Sequence, residues 1–325
     1  MPKTALLSLL ADGEFHSGQV LAEVMGVSRT AVWKQLKRLR QLGLELESVR
    51  GQGYRIPGGL ELLDEGAVRA GLDDRAAWRL EELVLLDTVD STNAEVLRRI
   101  DTGARRGLVC TAEQQTAGRG RLGRSWFSPF GRNLYLSLTW DYSQGAAALE
   151  GLSLAVGVAV AKALEARGVP PVQLKWPNDL LSGGGKLGGI LLEMVGDAAG
   201  ACQVVVGVGL NVRMPEAAAD AIGQPWVDLD GLCQGRPPGR NALLSALLNE
   251  LLPLLAEFQP RGFAPWREGW LARDACADHP VIVSSADRDL AGIARGVDER
   301  GSLRLETSLG VQTLFGGELS LSSQS

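Results

Sequence analysis

Histidine is almost missing from this chain: His16 and His279 are the only two in 325 residues. That excludes a histidine-rich metal centre, and no Ser/His or Cys/His nucleophilic constellation is evident. Cysteine is nearly as sparse. Cys110, Cys202, Cys233 and Cys276 lie far apart, without the Cys-x-x-Cys spacing of a redox or zinc motif. They are expected to be small buried apolar residues in a reducing compartment. Long apolar runs are also lacking. The most apolar stretch, residues 151–166, is shorter than the ~20 residues a bilayer crossing needs and contains Lys162. No leader-like opening is seen either, so the expected location is cytoplasmic, with no membrane partner. There is no long-period repeat and no low-complexity tract.

Apolar residues at 45% and charged residues at 22% are ordinary for a soluble globular protein, and the length suggests two or three domains. The net charge of −5 excludes a general polyanion binder, but it is unevenly spread. Residues 1–56 carry eight Lys/Arg and five Asp/Glu, a net of +3 that leaves −8 for the rest. A basic head on an acidic body points to nucleic-acid contact confined to the amino terminus.

Residues 1–62 read as one domain. A short amphipathic helix at 4–10 is followed by a helix that Ser17 can cap. A turn at Met25-Gly26-Val27 leads to a third helix capped by Ser28, with Val32, Leu36, Leu39 and Leu42 at helical spacing. A hairpin follows, turning at Arg50-Gly51-Gln52-Gly53, and Pro57-Gly58-Gly59 reads as a linker. Helix, turn, helix and hairpin describe a winged helix-turn-helix. The third helix, 29–41, carries Arg29, Lys34, Lys37, Arg38 and Arg40 and no acid. Ser28, Arg29, Thr30 and Lys34 are the expected DNA-facing set. Arg50, Gln52 and Arg55 in the hairpin could add phosphate or minor-groove contacts. The competing reading is a protein-binding or dimerising helical domain with a solvated basic face.

The middle domain, 63–273, mixes strand candidates (83–87, 108–113, 133–140, 172–176, 189–194, 203–208) with helix candidates (93–100, 150–167, 241–258, 266–271). Regular βαβ crossovers are missing, which favours an α+β fold with a mixed or antiparallel sheet. Alternation along 133–140 suggests a strand covered on one face. Residues 274–325 hold short β-rich stretches separated by turn signals at Ala286-Asp287 and Glu299-Arg300-Gly301, which suggests a little barrel.

Chemistry concentrates in three places. Gly118, Gly120 and Gly123 fit the spacing of a dinucleotide loop, but the run continues into Ser125-Trp126-Phe127-Ser128-Pro129 rather than opening a helix. Arg119, Arg121 and Arg124 interleave with the glycines. The reading is an anion-binding loop whose glycines admit backbone and whose guanidinium groups meet carboxylate or phosphate oxygens. Second, Lys175-Trp176-Pro177-Asn178-Asp179 precedes a glycine-rich run ending Lys186-Leu187-Gly188-Gly189, which aims a lysine into a pocket from the start of a strand. For Asn178 and Asp179 a structural turn cap is the alternative. Third, Gly207-Val208-Gly209-Leu210-Asn211 ends an apolar strand and could be an ordinary strand-to-loop turn.

In order and spacing, Asp90-Ser91-Thr92-Asn93, the GRGRxGRxW run from Gly118, KWPNDL from Lys175, KLxGIL from Lys186 and GxGxN from Gly207 resemble the biotin–protein ligases. The amino-terminal module resembles that of their bifunctional bacterial members, the biotin operon repressors. The tail, with Gly316-Gly317-Glu318, resembles their small carboxy-terminal barrel. The likeness implies a winged helix-turn-helix, a central mixed-sheet domain like the class II synthetases and an SH3-like barrel. It also implies that biotin and ATP, with Mg²⁺, form biotinyl-5′-adenylate, whose biotin then passes to a lysine of a biotin carboxyl carrier protein. Lys186, Arg119 and Arg121 would offset the repulsion between the biotin carboxylate and the α-phosphate. Ser91, Thr92, Asn93 and Gln115 would hold biotin, with Gly118, Gly120, Gly189 and Gly207 lining its pocket. Arg124, Trp126 and Asn211 would meet the nucleotide, Trp126 by stacking on adenine. Asn178 and Asp179 would sit near the triphosphate and its Mg²⁺, with no metal site built by protein alone. A homodimer favoured by the adenylate would bind operator DNA. Leu122 stands where some relatives have another loop arginine, and Ser322 where some carry an arginine that would contact nucleotide. A lipoate–protein ligase runs the same chemistry, but the arginine-glycine run and the winged helix argue against it. A transcription factor whose ligase body only senses biotin is disfavoured by the intact Arg119, Arg121 and Lys186.

Overall fold

The computed structural model describes residues 5–145, 149–197, 200–215, 218, 222–285 and 288–321. The Ala286-Asp287 turn and Ser322 lie outside the described residues.

Helices α1 (Ala5–Leu10), α2 (Gly18–Met25) and α3 (Arg29–Gln41) pack through Leu6, Leu10, Leu21, Val32, Leu36 and Leu39, all buried. The two serine caps form as the sequence suggests. Ser17 Oγ accepts from Val20 N at 3.1 Å and Ser28 Oγ from Ala31 N at 3.2 Å. Gly26, at φ 63°, ends α2 in the left-handed conformation that a residue with a Cβ disfavours. Strands β1 (Glu47–Val49) and β2 (Gly53–Arg55) form the wing, and His16 bridges to Tyr54 on its inner edge.

The central sheet has seven strands in the order β3-β4-β5-β9-β8-β7-β6. They are β3 (Glu82–Val89), β4 (Leu108–Gln115), β5 (Leu134–Tyr142), β6 (Gln173–Lys175), β7 (Asp179–Ser182), β8 (Gly185–Gly196) and β9 (Cys202–Leu210). Only β3 and β4 run parallel, so the sheet is mixed, as an α+β reading requires. The short helices α4 (Glu65–Ala70) and α5 (Asp74–Ala77) lead into the sheet, and helix α6 (Thr92–Asp101) covers one face. Helix α7 (Leu152–Glu165) and the long helix Arg240–Arg261 cover the other. The latter is long and apolar enough by composition to cross a membrane, but it is mostly buried as a core helix. The four cysteines are unpaired; Cys110, Cys202 and Cys276 are buried, and burial pushes the Cys110 thiol up to about 12.

Three details differ from the sequence reading. Strand β5 is buried on both faces, because α6 covers its polar side and uses Ser137. Residues 179–182 are a strand, paired to β8 across a hairpin whose turn glycines, Gly183 and Gly184, take φ 55° and 80°. The 57–59 segment is no free tether. Leu60 N donates to Ala11 O at 2.8 Å, and a Cβ on Gly59 would fall 2.6 Å from that same oxygen. Strands β10 (Pro280–Ser284), β11 (Asp289–Val297), β12 (Leu303–Thr307), β13 (Gly310–Leu314) and β14 (Glu318–Leu321) form a five-stranded antiparallel sheet, order β13-β12-β11-β10-β14, with a bulge in β11 between Ala294 and Val297. The edge strands β13 and β14 are not paired with each other among the described residues, so ladder hydrogen bonds do not close the barrel.

Winged helix and central domain interlock. Phe130, from the segment after the arginine-glycine run, is 3% exposed inside the core of the winged helix, against Leu60 and its neighbours. Beside it lies a buried ion pair. Arg240 donates to Glu113 Oε2 at 2.7 Å, to Glu61 O at 2.7 Å and to Asn133 O at 3.0 Å, and Glu113 Oε1 also accepts from Leu63 N at 2.6 Å. Both side chains are nearly excluded from water, at 5% and 2% exposure. Removing one partner leaves a buried charge uncompensated. Arg240→Ala is therefore expected to cost roughly 3–5 kcal/mol in urea unfolding; a loss under about 1 kcal/mol, the scale of an exposed pair, would show that water reaches this pair.

Candidate functional site

The carboxy-terminal ends of β4 and β9, the start of β8 and the arginine-glycine loop converge on a cavity of about 300 Å³. Of the residues singled out in the sequence, Ser91, Thr92, Asn93, Gln115, Arg119, Gly120, Arg121, Arg124, Trp126, Asn178, Asp179, Lys186, Gly189 and Gly207 line it. Gly118 and Asn211 do not. Gly118 lies under the loop, where a Cβ would fall 2.6 Å from Trp126 O and 2.9 Å from Gln115 Nε2. Asn211 is buried behind the wall, its amide donating to Lys186 O at 3.2 Å and Val227 O at 3.1 Å. It ties Lys186 to the segment crossing beside it rather than facing the cavity.

One end of the cavity is a hydrogen-bonded chain. Thr92 N and Thr92 Oγ1 donate to Gln115 Oε1 at 2.9 and 3.2 Å, Gln115 Nε2 donates to Ser128 Oγ at 3.0 Å, and Ser128 Oγ donates to Trp126 O at 3.0 Å. From β5, Ser137 Oγ lies 2.7 Å from Thr92 Oγ1 and 2.5 Å from Asn93 Oδ1, its one hydrogen shared between them. The Asp90 carboxylate accepts both Nη atoms of Arg98, which hold it down at about 2. Its stabilising charge is present above the ordinary carboxylate range and is lost only as pH falls through about 2.

The arginine-glycine loop is a hairpin, not a helix start. Gly120 N donates to Arg124 O at 2.7 Å, Trp126 N to Gly118 O at 2.8 Å, and a single 3-10 turn, Arg121–Gly123, makes the tip. Leu122 is 75% exposed there, at φ 54°. Each loop arginine meets a different partner. Arg119 reaches Glu193 Oε2 at 3.0 Å, a carboxylate that also accepts from Asn93 at 2.7 Å. Arg121 lies 3.4 Å from both Asn178 Oδ1 and Gly317 O. Arg124 pairs with Glu318. The carboxy-terminal sheet thus supplies part of the cavity wall.

Opposite the loop, Lys186 Nζ sits 2.8 Å from Asp179 Oδ1, and Lys175 Nζ is 3.7 Å from Oδ2. The β7–β8 hairpin explains this meeting, because it sets Asp179 across from Gly189 and close to Lys186. Asn178 is fixed by two bonds to Ile190, after a cis Trp176–Pro177 bond. Glu193, Lys175, Ser128, Ser137 and Glu318 were not singled out as site residues. Glu318 was signalled by the Gly-Gly-Glu run and Lys175 by the run it opens, but Glu193, Ser128 and Ser137 are marked by no motif of their own and only the fold gathers them. Among the described residues no group of three or more His, Cys, Asp or Glu could hold a metal ion.

The indole of Trp126 lies on β8 and β9, 5.7 Å beneath the Lys186 ammonium, with its Nε1 buried and unpartnered. It fits there because a Cβ on Gly209 would meet the ring at 2.6 Å and one on Gly189 at 3.3 Å. Gly209→Ala should displace the ring at a cost of about 1–3 kcal/mol, as overpacking does. Urea unfolding and the fluorescence difference against Trp126→Phe check this; unchanged emission from Trp126 would mean that the ring does not depend on the missing Cβ.

Known proteins resemble this chain along most of its length. Residues 85–211 match the model of the biotin/lipoate A/B protein ligase family, and residues 3–55 match a helix-turn-helix domain. The bifunctional ligase/repressor BirA of Salmonella typhimurium is 42% identical over 98% of this chain and 97% of its own length. A biotin–[acetyl-CoA-carboxylase] ligase of Paracoccus denitrificans is 37% identical over 72% of this chain and 98% of its own. The biotin protein ligase of Aquifex aeolicus, solved with biotin and ATP, superposes with a TM-score of 0.63 at 28% identity, over 75% of this chain and 99% of that one. The chain belongs to the family of bifunctional biotin–protein ligase/repressors.

Proposed function

We infer that this chain is an ATP-dependent biotin–protein ligase and DNA-binding repressor, and that its ligase reaction runs in the cavity between the arginine-glycine loop and β8. The observation that carries the assignment of roles is the convergence of Lys186, Arg119 and Arg121 on one glycine-lined cavity. In the first step a biotin carboxylate oxygen bonds to the α-phosphorus of ATP and pyrophosphate leaves. In the second, the ε-amine of an acceptor lysine attacks the biotinyl carbonyl, forming an amide as AMP departs with the electron pair and the amine loses a proton. Neither step needs an enzyme nucleophile, so catalysis rests on positioning and charge.

Lys186 is the residue we place against both the carboxylate and the α-phosphate oxygens, while Arg119 and Arg121 offset the remaining charge. Ser91, Thr92, Asn93 and Gln115 would hold biotin's ureido ring, since they form the neutral polar end of the cavity. Arg124, Trp126 and Asn178 would bind the nucleotide. ATP brings Mg²⁺, which neutralises phosphate charge, and Asp179 is the carboxylate beside which it would rest. Once the loop closes over the adenylate, it shields the anhydride from water. The natural acceptor would be a biotin carboxyl carrier protein. We also assign the functional units to residues 1–62, 63–273 and 274–325.

In the amino-terminal domain, Arg29, Thr30 and Lys34 are exposed along the first turns of α3, and Arg50 and Gln52 at the wing tip. The Ser28 hydroxyl is engaged as a cap. One such module offers little area for tight specific binding, so an adenylate-favoured homodimer on paired operator half-sites fits best.

Lys186→Ala should lower biotin-dependent ATP–pyrophosphate exchange by ~10²-fold or more, as losing a preorganised charge contact does. Near-normal exchange would remove Lys186 from the chemistry. Biotin plus ATP should raise both the sedimentation coefficient and operator affinity, with a coupling of about 1–3 kcal/mol, and excess unbiotinylated acceptor should reverse both. Equal affinity and an equal oligomeric state with and without ligands would refute the sensing role while leaving the ligase reading intact.

A further inference from the structure

Trp33 is an anomaly on α3. It is 55% exposed, although Val32, Leu36 and Leu39 on the same helix are buried. A large aromatic in the open on a basic helix face suits a surface that something else covers. Its surroundings are specific. Trp33 sits in the groove between α3 and the wing, whose lining includes Arg29, Lys37, Arg40, Ser48 and Arg50 but, among the described residues, no acidic one. The Lys37 ammonium lies 5.9 Å over its ring. Glu47, the carboxylate of strand β1, is taken up by Arg55 at 2.6 Å.

Duplex geometry says what lies in such a groove. If α3 enters the major groove and the wing tip reaches the neighbouring minor groove, one sugar–phosphate strand separates the two and must pass between helix and wing. That path runs over Trp33. We propose that Trp33 is a DNA-backbone contact, its ring packed on a deoxyribose and its indole N–H donating to a phosphate oxygen, with Lys37 and Arg29 neutralising the phosphates on either side. The occupant is duplex DNA, chosen by charge complementarity and by the spacing of helix and wing. This inference rests on the DNA-binding reading and adds a contact to it. The contact is apolar in large part and independent of base sequence.

The test uses the full-length protein with biotin and ATP, and a fluorescein-labelled mixed-sequence DNA duplex titrated at several salt concentrations. Trp33→Ala should weaken binding by roughly fivefold or more, the scale of one aromatic anchor, with an unchanged slope of log affinity against log salt. Lys37→Ala should flatten that slope by about one. The emission difference between wild type and Trp33→Phe should shift when the duplex is added. Ligase activity and thermal midpoint report that the variants are folded, since Trp33 is exposed and is not among the residues that line the cavity. Wild-type affinity in Trp33→Ala, alongside weakened binding in Arg29→Ala, would overturn the Trp33 contact and leave DNA binding standing. A change in sedimentation without a change in DNA affinity would assign Trp33 to a protein contact and likewise overturn it. Failure of the wild-type protein to bind any duplex would sink the DNA-binding reading and this contact together.

Discussion

The missing Cβ atoms of Gly189, Gly207 and Gly209 are the constraint on which the rest of the site depends. On β8 and β9 they leave a floor flat enough for the Trp126 indole and for Asn93, whose Oδ1 would lie 2.3 Å from a Cβ at Gly207. With Trp126 seated, its carbonyl receives Ser128, Ser128 receives Gln115, and Gln115 receives Thr92. The arginine-glycine loop is pinned at its exit by that chain and at its entry by Gly118. A 1 Å displacement of the floor would therefore pass into every group around the cavity, which is how small misplacements cost large factors in rate.

Charge is arranged on the same principle. Lys186 faces Asp179, Arg119 faces Glu193 and Arg124 faces Glu318. Of the four cations we assign to the anionic substrates, these three already have a carboxylate partner, while Arg121 rests against Asn178 Oδ1 and Gly317 O, so none points at random into solvent. These pairs are partly exposed and contribute little to stability. Their effect is to hold guanidinium and ammonium groups in orientation, and incoming carboxylate or phosphate oxygens compete for them at low cost.

The parts of the fold that depend on local pattern were legible in the sequence. Ser17, Gly26 and Ser28 marked the helix ends of the winged domain, and the run of Val32, Leu36 and Leu39 marked its core face. Lys186 was read at the start of a strand aimed into a pocket, and it is there. What escaped the reading depends on tertiary neighbours. Strand β5 alternates like a half-exposed strand, but α6 covers its polar side and gives Ser137 partners. Residues 179–182 were not among the strand candidates because four residues carry too little periodicity to show a strand. Glu193 and Phe130 sit in unremarkable apolar or loop sequence, and only the folded chain brings one to Arg119 and the other into the winged helix. Pro57-Gly58-Gly59 has the composition of a tether but is packed against Ala11 and Gly13.

That last point joins the two halves of the molecule. The loop bearing the arginines, the Gln115 chain and Phe130 belong to one continuous stretch of sequence, and Gln114 donates to Leu42 O, 3.4 Å away, at the end of α3. The cavity and α3 are thus neighbours through a few packed residues, a short physical path for the sensing role proposed above. In the proposed reaction the cavity activates biotin. The most direct measurement is a single turnover with ATP labelled at the α-phosphorus, chased with an acceptor domain. The account predicts labelled biotinyl adenylate first, then loss of label as AMP while the acceptor gains one biotin, with lipoate a poor substitute. Turnover independent of biotin, or equally fast with lipoate, would contradict it.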